Sequence, residues 1–263
     1  MHTPVLLHEV LEYLDPQPGK KIIDGTANGG GHTLALRERG AEVLAIEIDP
    51  VLAKKLPAVL GNYANIAQIA REHNFVPCDG VLLDLGFSSE QLEGRGLSFQ
   101  RTEPLDMRYG GEGETAADIL NSRDEEEIAK ILREYGEERF DGRIARAIVK
   151  ARPLTTTFQL VDAIQSVVRR TGKLHPVTRT FQALRIAVNH ELENLQKGLA
   201  GAWEVLKPKG KLAVISFHSL EDRIVKRFFK KSKVIRAKWE EIKINRRARS
   251  AKLRVVERTT PAM

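Results

Sequence analysis

The stretch Lys21-Ile-Ile-Asp24-Gly-Thr-Ala-Asn28-Gly29-Gly30-Gly31-His32 constrains this chain more than any other. An apolar run too short for a helix ends on an acid, passes through a glycine-rich turn, and continues into a helical pattern from Thr33 to Arg39. Glycine lets the backbone approach a ligand closely, and a helix start supplies unpaired amides at the same place. The order therefore predicts a nucleotide-cofactor cradle at the end of a buried strand. The dinucleotide fingerprint G-x-G-x-x-G is absent: from Gly25 the next glycines lie four, five and six residues on. Acid first and glycines after favours S-adenosylmethionine over NAD and disfavours a NAD-linked oxidoreductase.

Strand and helix patterns alternate around this motif, as a parallel sheet covered by helices requires. Lys21 to Asp24 and Glu42 to Glu47 read as strands, and Asp49 reads as the cap of a helix that Pro50 begins. A helix is expected over Asn65 to His73, a poorly marked strand over Ala58 to Leu60, and a buried strand over Asp79 to Asp84. From Ala116 to about His190 only helical periodicity is found, as in Ile128, Ile131, Leu132 and Tyr135. Alternation resumes with a helix over Glu191 to Leu206, a turn at Pro208-Lys-Gly210 and a strand over Lys211 to Ser216. A basic helix over Leu220 to Lys231 follows, then strands near Val234 to Lys238 and Leu253 to Glu257. The expected fold is α/β, a Rossmann-like sheet over residues 1–105 and 191–263, interrupted by an all-helical insertion over 106–190.

Composition narrows the function classes. The 263 residues are enough for one large domain or two modest ones. Net charge is +7, and from Lys207 onward eighteen Lys and Arg face five acids, which suggests a polyanionic partner, nucleic acid first. Cys78 is the single cysteine, so neither a disulfide framework nor a cysteine-rich zinc site is expected. No signal peptide and no long apolar run is read from the sequence, and a cytoplasmic protein without a membrane or metal partner is expected.

Several side chains are placed by this outline at the carboxyl edge of the sheet, where ligands of such folds bind. Glu47 lies about twenty residues past the glycine turn, where a carboxylate accepts bonds from ribose hydroxyls; Asp49 is its rival. Tyr63 has two readings: an aromatic face for adenine or the sulfonium, or an ordinary half-buried tyrosine. Asp84 closes the buried strand Leu82-Leu-Asp84. It either accepts hydrogen bonds from the reacting amine and stabilises developing positive charge, or only caps the turn. Cys78 follows proline, as some pyrimidine-attacking nucleophiles do, but it precedes its strand. That places it at the wrong end of the sheet, as a buried structural thiol.

These residues and their neighbours resemble the RsmH (MraW) family of S-adenosylmethionine-dependent methyltransferases. The resemblance runs through His2-Thr-Pro-Val-Leu-Leu, Asp24-Gly-Thr with Gly30-Gly-His32, Leu82-Leu-Asp84-Leu-Gly with Ser88, Ser89 and Gln91, and Pro104-Leu-Asp-Met-Arg108. It continues in Tyr135-Gly-Glu-Glu-Arg-Phe140, Arg143-Ile-Ala-Arg-Ala-Ile148, Thr180-Phe-Gln-Ala-Leu-Arg185, Ser216-Phe-His-Ser-Leu-Glu-Asp-Arg223 and Ala248-Arg-Ser-Ala-Lys-Leu-Arg254. It implies methylation at N4 of a cytidine in the decoding centre of bacterial 16S rRNA, with that RNA as partner, either free or within the small ribosomal subunit. Cofactor contacts implied are Asp24, Asn28, Gly29, Gly30, Gly31, His32, Glu47, Tyr63, Asp84 and Gln91.

The same resemblance makes the helical insertion a substrate-recognition domain. Arg143, Arg146, Arg179 and Arg185 there, and Arg223, Lys226, Arg246, Arg247 and Arg249 outside it, become RNA phosphate ligands. Arg143 and Arg146 have an alternative as ion-pair partners of Glu137 or Glu138. His218 faces the target base on one reading and is a satisfied structural histidine on the other. The chain departs from the family's usual residues at Asn28, for glycine; at Glu47, for aspartate; at Tyr63, for phenylalanine; and at Arg246, for proline. Asn tolerates left-handed backbone, and Glu lengthens the reach to ribose by one methylene. An RNA-binding protein that keeps the cradle without turnover is the competing class, and methyl incorporation separates the two.

Overall fold

The computed structural model describes residues 4–87, 94–169 and 177–259. The chain divides into two compact units, Met1–Ser88 with Leu192–Met263, and Ser89–Glu191.

The first unit is built on a six-stranded sheet: β1 (Lys21–Asp24), β2 (Glu42–Glu47), β3 (Val59–Leu60), β4 (Cys78–Asp84), β5 (Leu206–Ser216) and β6 (Lys252–Glu257). The strand order is β3-β2-β1-β4-β5-β6, all parallel except for antiparallel β6. The order reverses between β1 and β4, so their carboxyl ends open a crevice at the switch point. Strands β1 and β2 run over the residues that the alternation predicts. β4 starts one residue early, at buried Cys78, whose thiol burial pushes up to about 12. That thiol is inert, and it lies at the amino end of the sheet.

Two expectations are corrected. The Pro208-Lys-Gly210 turn lies inside β5 as an irregularity: Leu206 pairs with Cys78 but Lys211 already pairs with Gly80. The strand expected over Val234 to Lys238 is only an isolated bridge between Ile235 and Leu253. Its alternating charges imitate strand periodicity, but the chain leaves the edge of the sheet to enter a helix at Trp239.

Helices of this unit are α1 (Leu7–Leu14), α2 (Gly31–Glu38), α3 (Pro50–Lys55) and α4 (Ile66–Glu72). α10 (Glu191–Val205), α11 (Ser219–Phe229) and α12 (Trp239–Ile244) complete them. Asp49 caps α3 as its sequence signals: Oδ1 accepts the amides of Val51 and Leu52 at 2.8 and 3.4 Å, with Pro50 at the first helical position. The sheet buries both faces. Ile23, Ile46, Val81 and Val214 pack towards Ile66, Leu195 and Leu199 on one side. Ile22, Leu82, Ala213 and Ile215 pack towards Val10, Leu14 and Leu36 on the other.

The second unit contains α5 (Ala116–Ser122), α6 (Glu125–Gly136), α7 (Asp141–Lys150), α8 (Thr157–Gln165) and α9 (Thr178–Asn189). Thr115, Asp124 and Thr156 each form a capping box with the residue three positions on. α6 and α9 approach closely because Gly136 leaves room: a Cβ there would stand 2.8 Å from the Arg179 carbonyl oxygen. This unit starts well before residue 106. Leu97, Phe99 and Leu105 belong to its core, and Phe99 sets its ring edge-on to Phe181 at 5.4 Å. The polar, glycine-rich run that precedes the helices masks these three apolar anchors in the sequence. No helix among the described residues is long and apolar enough to cross a membrane.

Candidate active site

The glycine turn is held from below by its own acid. Asp24 is 0% exposed; Oδ1 accepts the Thr26 amide at 3.2 Å and Oδ2 accepts the Thr33 hydroxyl at 2.6 Å. Asp24 thus shapes the turn from a buried position, each oxygen engaged through one lone pair. Asn28 takes φ +50°, the left-handed region its side chain tolerates, and Gly30 takes φ +80°. A Cβ on Gly30 would lie 2.3 Å from Leu56 Cδ2, and one on Gly31 would lie 2.9 Å from Pro4 Cδ. Only glycine lets the turn lie this low before α2, whose first turn receives no side-chain cap. Its amides are thus left for a ligand's carboxylate.

The turn is tied to both neighbouring strands. Glu47 ends β2 and accepts the Asn28 amide at 2.6 Å on Oε2 and the Asp49 amide at 2.9 Å on Oε1. The extra methylene is thus used to curl the carboxylate back between turn and strand, where each oxygen keeps one lone pair for a hydroxyl. On the β4 side, the Asp84 amide donates to Thr26 Oγ1 at 2.6 Å, and the Asp84 carboxylate accepts the Gly86 amide at 3.1 Å. His32 lies buried beneath, with Nε2 3.0 Å from the Val5 carbonyl and Nδ1 3.5 Å from Asp84 Oδ2.

Burial dominates the electrostatics. It pushes the Asp84 carboxyl up to about 7, against the Gly86 amide and helped by the nearby Glu221 carboxylate. It pushes Glu47 up to about 7 against its two backbone bonds, raises Asp24 and lowers His32. No lysine or arginine is among the hydrogen-bond or ion-pair partners of these three acids that the described residues provide. Carboxyls gathered without a cation of their own suit a positively charged ligand.

β5 brings a further group to the same edge. Asp84 is in register with Ile215, so Phe217 and His218 follow directly beyond; a Cβ on Gly86 would meet the Phe217 ring at 2.8 Å and Asp84 Oδ1 at 3.2 Å. His218 is the N-cap of α11, its Nδ1 3.5 Å from the Glu221 amide. Its Nε2 lies 3.0 Å from a Glu221 oxygen, off the line of a hydrogen bond, and this buried nitrogen has no hydrogen-bond partner among the described residues. Tyr63 sits past β3, half-buried, with its ring against α10: a Cβ on Gly198 would stand 2.4 Å from Tyr63 Cδ2. Gln91 lies outside the described residues.

The basic residues separate into those turned outward and those engaged in the fold. Arg143, Arg223, Lys226, Arg246 and Arg249 are exposed. Arg146 is exposed and pairs with Glu125 at 3.3 Å, not with Glu137 or Glu138. Arg185 makes a two-pronged bond to Glu191 at 2.8 and 3.0 Å, half-buried, and Arg179 donates to the Glu137 carbonyl at 2.9 Å at the end of α6. Arg247 turns inward to the Phe87 carbonyl at 3.1 Å, and burial lowers its pKa. Arg179, Arg185 and Arg247 therefore each brace the fold through one or two of their five N–H donors.

Sequence reasoning missed Thr26, Thr33, Val5, Gly198 and Glu221. The last carried a signal: His218-Ser-Leu-Glu221 has the spacing of a capping box, and Glu221 accepts the Phe217 and His218 amides at 2.7 and 3.2 Å. Thr26 and Thr33 carried none, because a hydroxyl that braces a strand end is set by tertiary register.

A parallel sheet of this order closed by one antiparallel strand, with an acid-then-glycine turn at its switch point, defines a Rossmann-like class I methyltransferase unit. The residues fit S-adenosylmethionine: uncapped amides for its carboxylate and buried acids for its cationic groups. The chain belongs to the MraW methylase family, whose model matches residues 1–259. A protein of Deinococcus deserti named Ribosomal RNA small subunit methyltransferase H is 48% identical over 280 residues, covering 98% of this chain and 93% of that protein. The protein of that name from Deinococcus radiodurans is 48% identical and covers 98% and 89%. That from Parvibaculum lavamentivorans is 44% identical over 308 residues and covers 100% and 91%.

Proposed function

We propose that this chain methylates N4 of a cytidine in the decoding centre of bacterial 16S rRNA, in the cytoplasm, with the small ribosomal subunit or its RNA as substrate. The observation that carries the reading is the pair of strand-end carboxylates, Glu47 and Asp84, flanking a glycine turn in a chain of the MraW methylase family. The sequence resemblance supplies the target atom.

When bound, S-adenosylmethionine supplies an electrophilic methyl group on a sulfonium sulphur. Glu47 offers its remaining lone pairs to ribose hydroxyls, and the free amides at the start of α2 receive the amino-acid carboxylate. A nitrogen conjugated with a pyrimidine ring is a weak nucleophile, so positioning and charge must supply the rate. Asp84 accepts a hydrogen bond from the N4–H, stabilises positive charge as it develops on that nitrogen, and takes the surplus proton. Its elevated pKa suits it to hold that proton near neutrality. His218 offers Nε2–H to the base from the adjoining strand end. The helical unit and the exposed arginines hold RNA phosphates.

Mass-spectrometric mapping of methylcytidines in small-subunit rRNA, from cells lacking this gene and from the same cells complemented with it, tests the reading. One N4-methyl mark should vanish and return. A mark unaffected by deletion refutes the assignment.

A further inference from the structure

Trp239 is 64% exposed and Ile244 83% exposed on one short helix, α12, in a chain with only two tryptophans. An indole left in water forgoes a large burial gain, and the surroundings of Trp239 are not those of a lone surface apolar residue. Trp239, Ile242, Lys243, Arg246 and Arg249 line an open hollow of about 710 Å³. Local geometry groups them in two pairs: 239 and 243 follow one face of α12, and, beyond extended Asn245, the 3₁₀ turn Arg246–Arg249 puts its first and last residues on one side. Between them Arg247 is turned inward to Phe87 and Ala248 is buried.

The charge of the hollow is one-sided. Lys243 holds its ammonium 5.6 Å from the centre of the indole, and Arg246 and Arg249 are exposed beside it. Of the two acids of the same helix, Glu241 is taken inward by the Leu6 amide at 2.7 Å and Glu240, though exposed, is not among the residues that line the hollow. An open aromatic face ringed by cations matches a base with its flanking phosphates, since every base offers a π-face and each phosphate a negative charge.

We propose that this hollow binds an unpaired stretch of RNA, one base stacked on Trp239 and the adjoining phosphates held by Lys243, Arg246 and Arg249. It rests on the RNA-substrate reading above and adds a single-strand docking point apart from the cofactor crevice. Its requirement is a substrate segment that is not base-paired when it docks.

The test uses the full chain carrying Trp203→Phe, so that Trp239 is the sole emitter, titrated with single-stranded oligouridylate, with a duplex of equal length and with inorganic polyphosphate. Oligouridylate should quench Trp239 emission, polyphosphate should bind without quenching, and the duplex should bind more weakly than the single strand. Trp239→Ala should weaken oligouridylate binding about tenfold, with Trp239→Phe keeping most of the affinity. Should Trp203→Phe not fold, ¹⁹F resonances of the fluorotryptophan-labelled native chain report the same contact. Equal oligouridylate affinity for Trp239→Ala and its parent overturns the proposal. So does tighter capture of polyglutamate than of oligouridylate, which would mark a protein-docking site. Methyl incorporation into small subunits, measured on the same preparations, separates the two claims. Turnover with an indifferent Trp239 sinks the platform alone, and quenching without turnover sinks the enzymatic reading alone.

Discussion

His32 Nδ1 stands 3.5 Å from Asp84 Oδ2 while Nε2 of the same ring meets the Val5 carbonyl at 3.0 Å. A carbonyl only accepts, so the ring proton resides on Nε2 and Nδ1 presents a lone pair to Asp84. With the carboxyl raised to about 7 and the imidazole lowered by burial, a proton held between them belongs to the carboxyl. Asp84→Asn keeps a donor towards Nδ1 and removes the negative charge. Its single-turnover rate should fall on the order of 10²-fold, with S-adenosylmethionine affinity changed by less than about tenfold. Asp84→Ala should behave likewise, and undiminished single-turnover rates in both would strike Asp84 from the mechanism.

Cofactor binding should release protons. Glu47 and Asp84 are protonated in the free protein below about 7, and a cationic ligand favours their ionised forms. Affinity for S-adenosylmethionine should therefore rise as pH increases towards about 7, up to about tenfold per pH unit for each proton released, and level off above it. S-adenosylhomocysteine lacks the sulfonium charge and should show a shallower rise. Calorimetry in buffers of different ionisation enthalpy reads the proton count, and identical slopes for the two ligands would contradict the charge argument.

The same acids set the stability of the free protein. Each has a native pKa above its unfolded value, so the native state retains protons that the unfolded chain gives up from about pH 4 upward. Stability contributed by their protonated forms is present below the unfolded pKa, declines as pH rises to about 7, and is level beyond. Glu47→Gln should flatten part of that decline and weaken cofactor binding together. A melting profile with the original pH slope would mean that Glu47 is not the group concerned.

Gly30→Ala meets two obstacles, a left-handed φ of +80° and Leu56 Cδ2 at 2.3 Å from the new Cβ. A loss of about 1–3 kcal/mol is expected. Leu56→Ala in the same chain should restore only the steric part. If the single variant melts with the wild type and binds cofactor equally well, the close packing of the turn is not required.

Salt dependence should divide the arginines. Arg143→Ala and Arg249→Ala remove exposed charges and should each lower the slope of log affinity for RNA against log salt by about one contact. Arg185→Ala breaks a half-buried pair with Glu191 and should instead cost about 1–3 kcal/mol of stability. A flat salt profile for the parent chain would refute an electrostatic docking face altogether.

The core of the fold was legible wherever a local rule decided the outcome. Buried β1 and β2 stand out as short apolar runs ending in acids, and Asp49-Pro50 announces its helix. β3 was weak in sequence because only two residues pair. In the site, the glycine turn and the place of Glu47 were legible from spacing, but not the direction in which the side chains point. Asp24 ends its strand as ligand-binding acids often do, yet it lies buried and each of its oxygens is already engaged by Thr26 or Thr33 through one lone pair. The same holds for Arg179, whose partner is a carbonyl at a helix end contributed by distant sequence. Charge is written in the sequence; the company it keeps is not.

Strands β4 and β5 lie side by side, Asp84 in register with Ile215, although the whole helical unit is inserted between them in the chain. During synthesis β4 therefore emerges long before its neighbour, and one flank of it waits unpaired while the helices are made. The helical unit is contiguous and can condense first, whereas the catalytic half closes only after the last strand has left the exit tunnel. The crevice at the switch point is thus complete only once the chain on both sides of the insertion has been made.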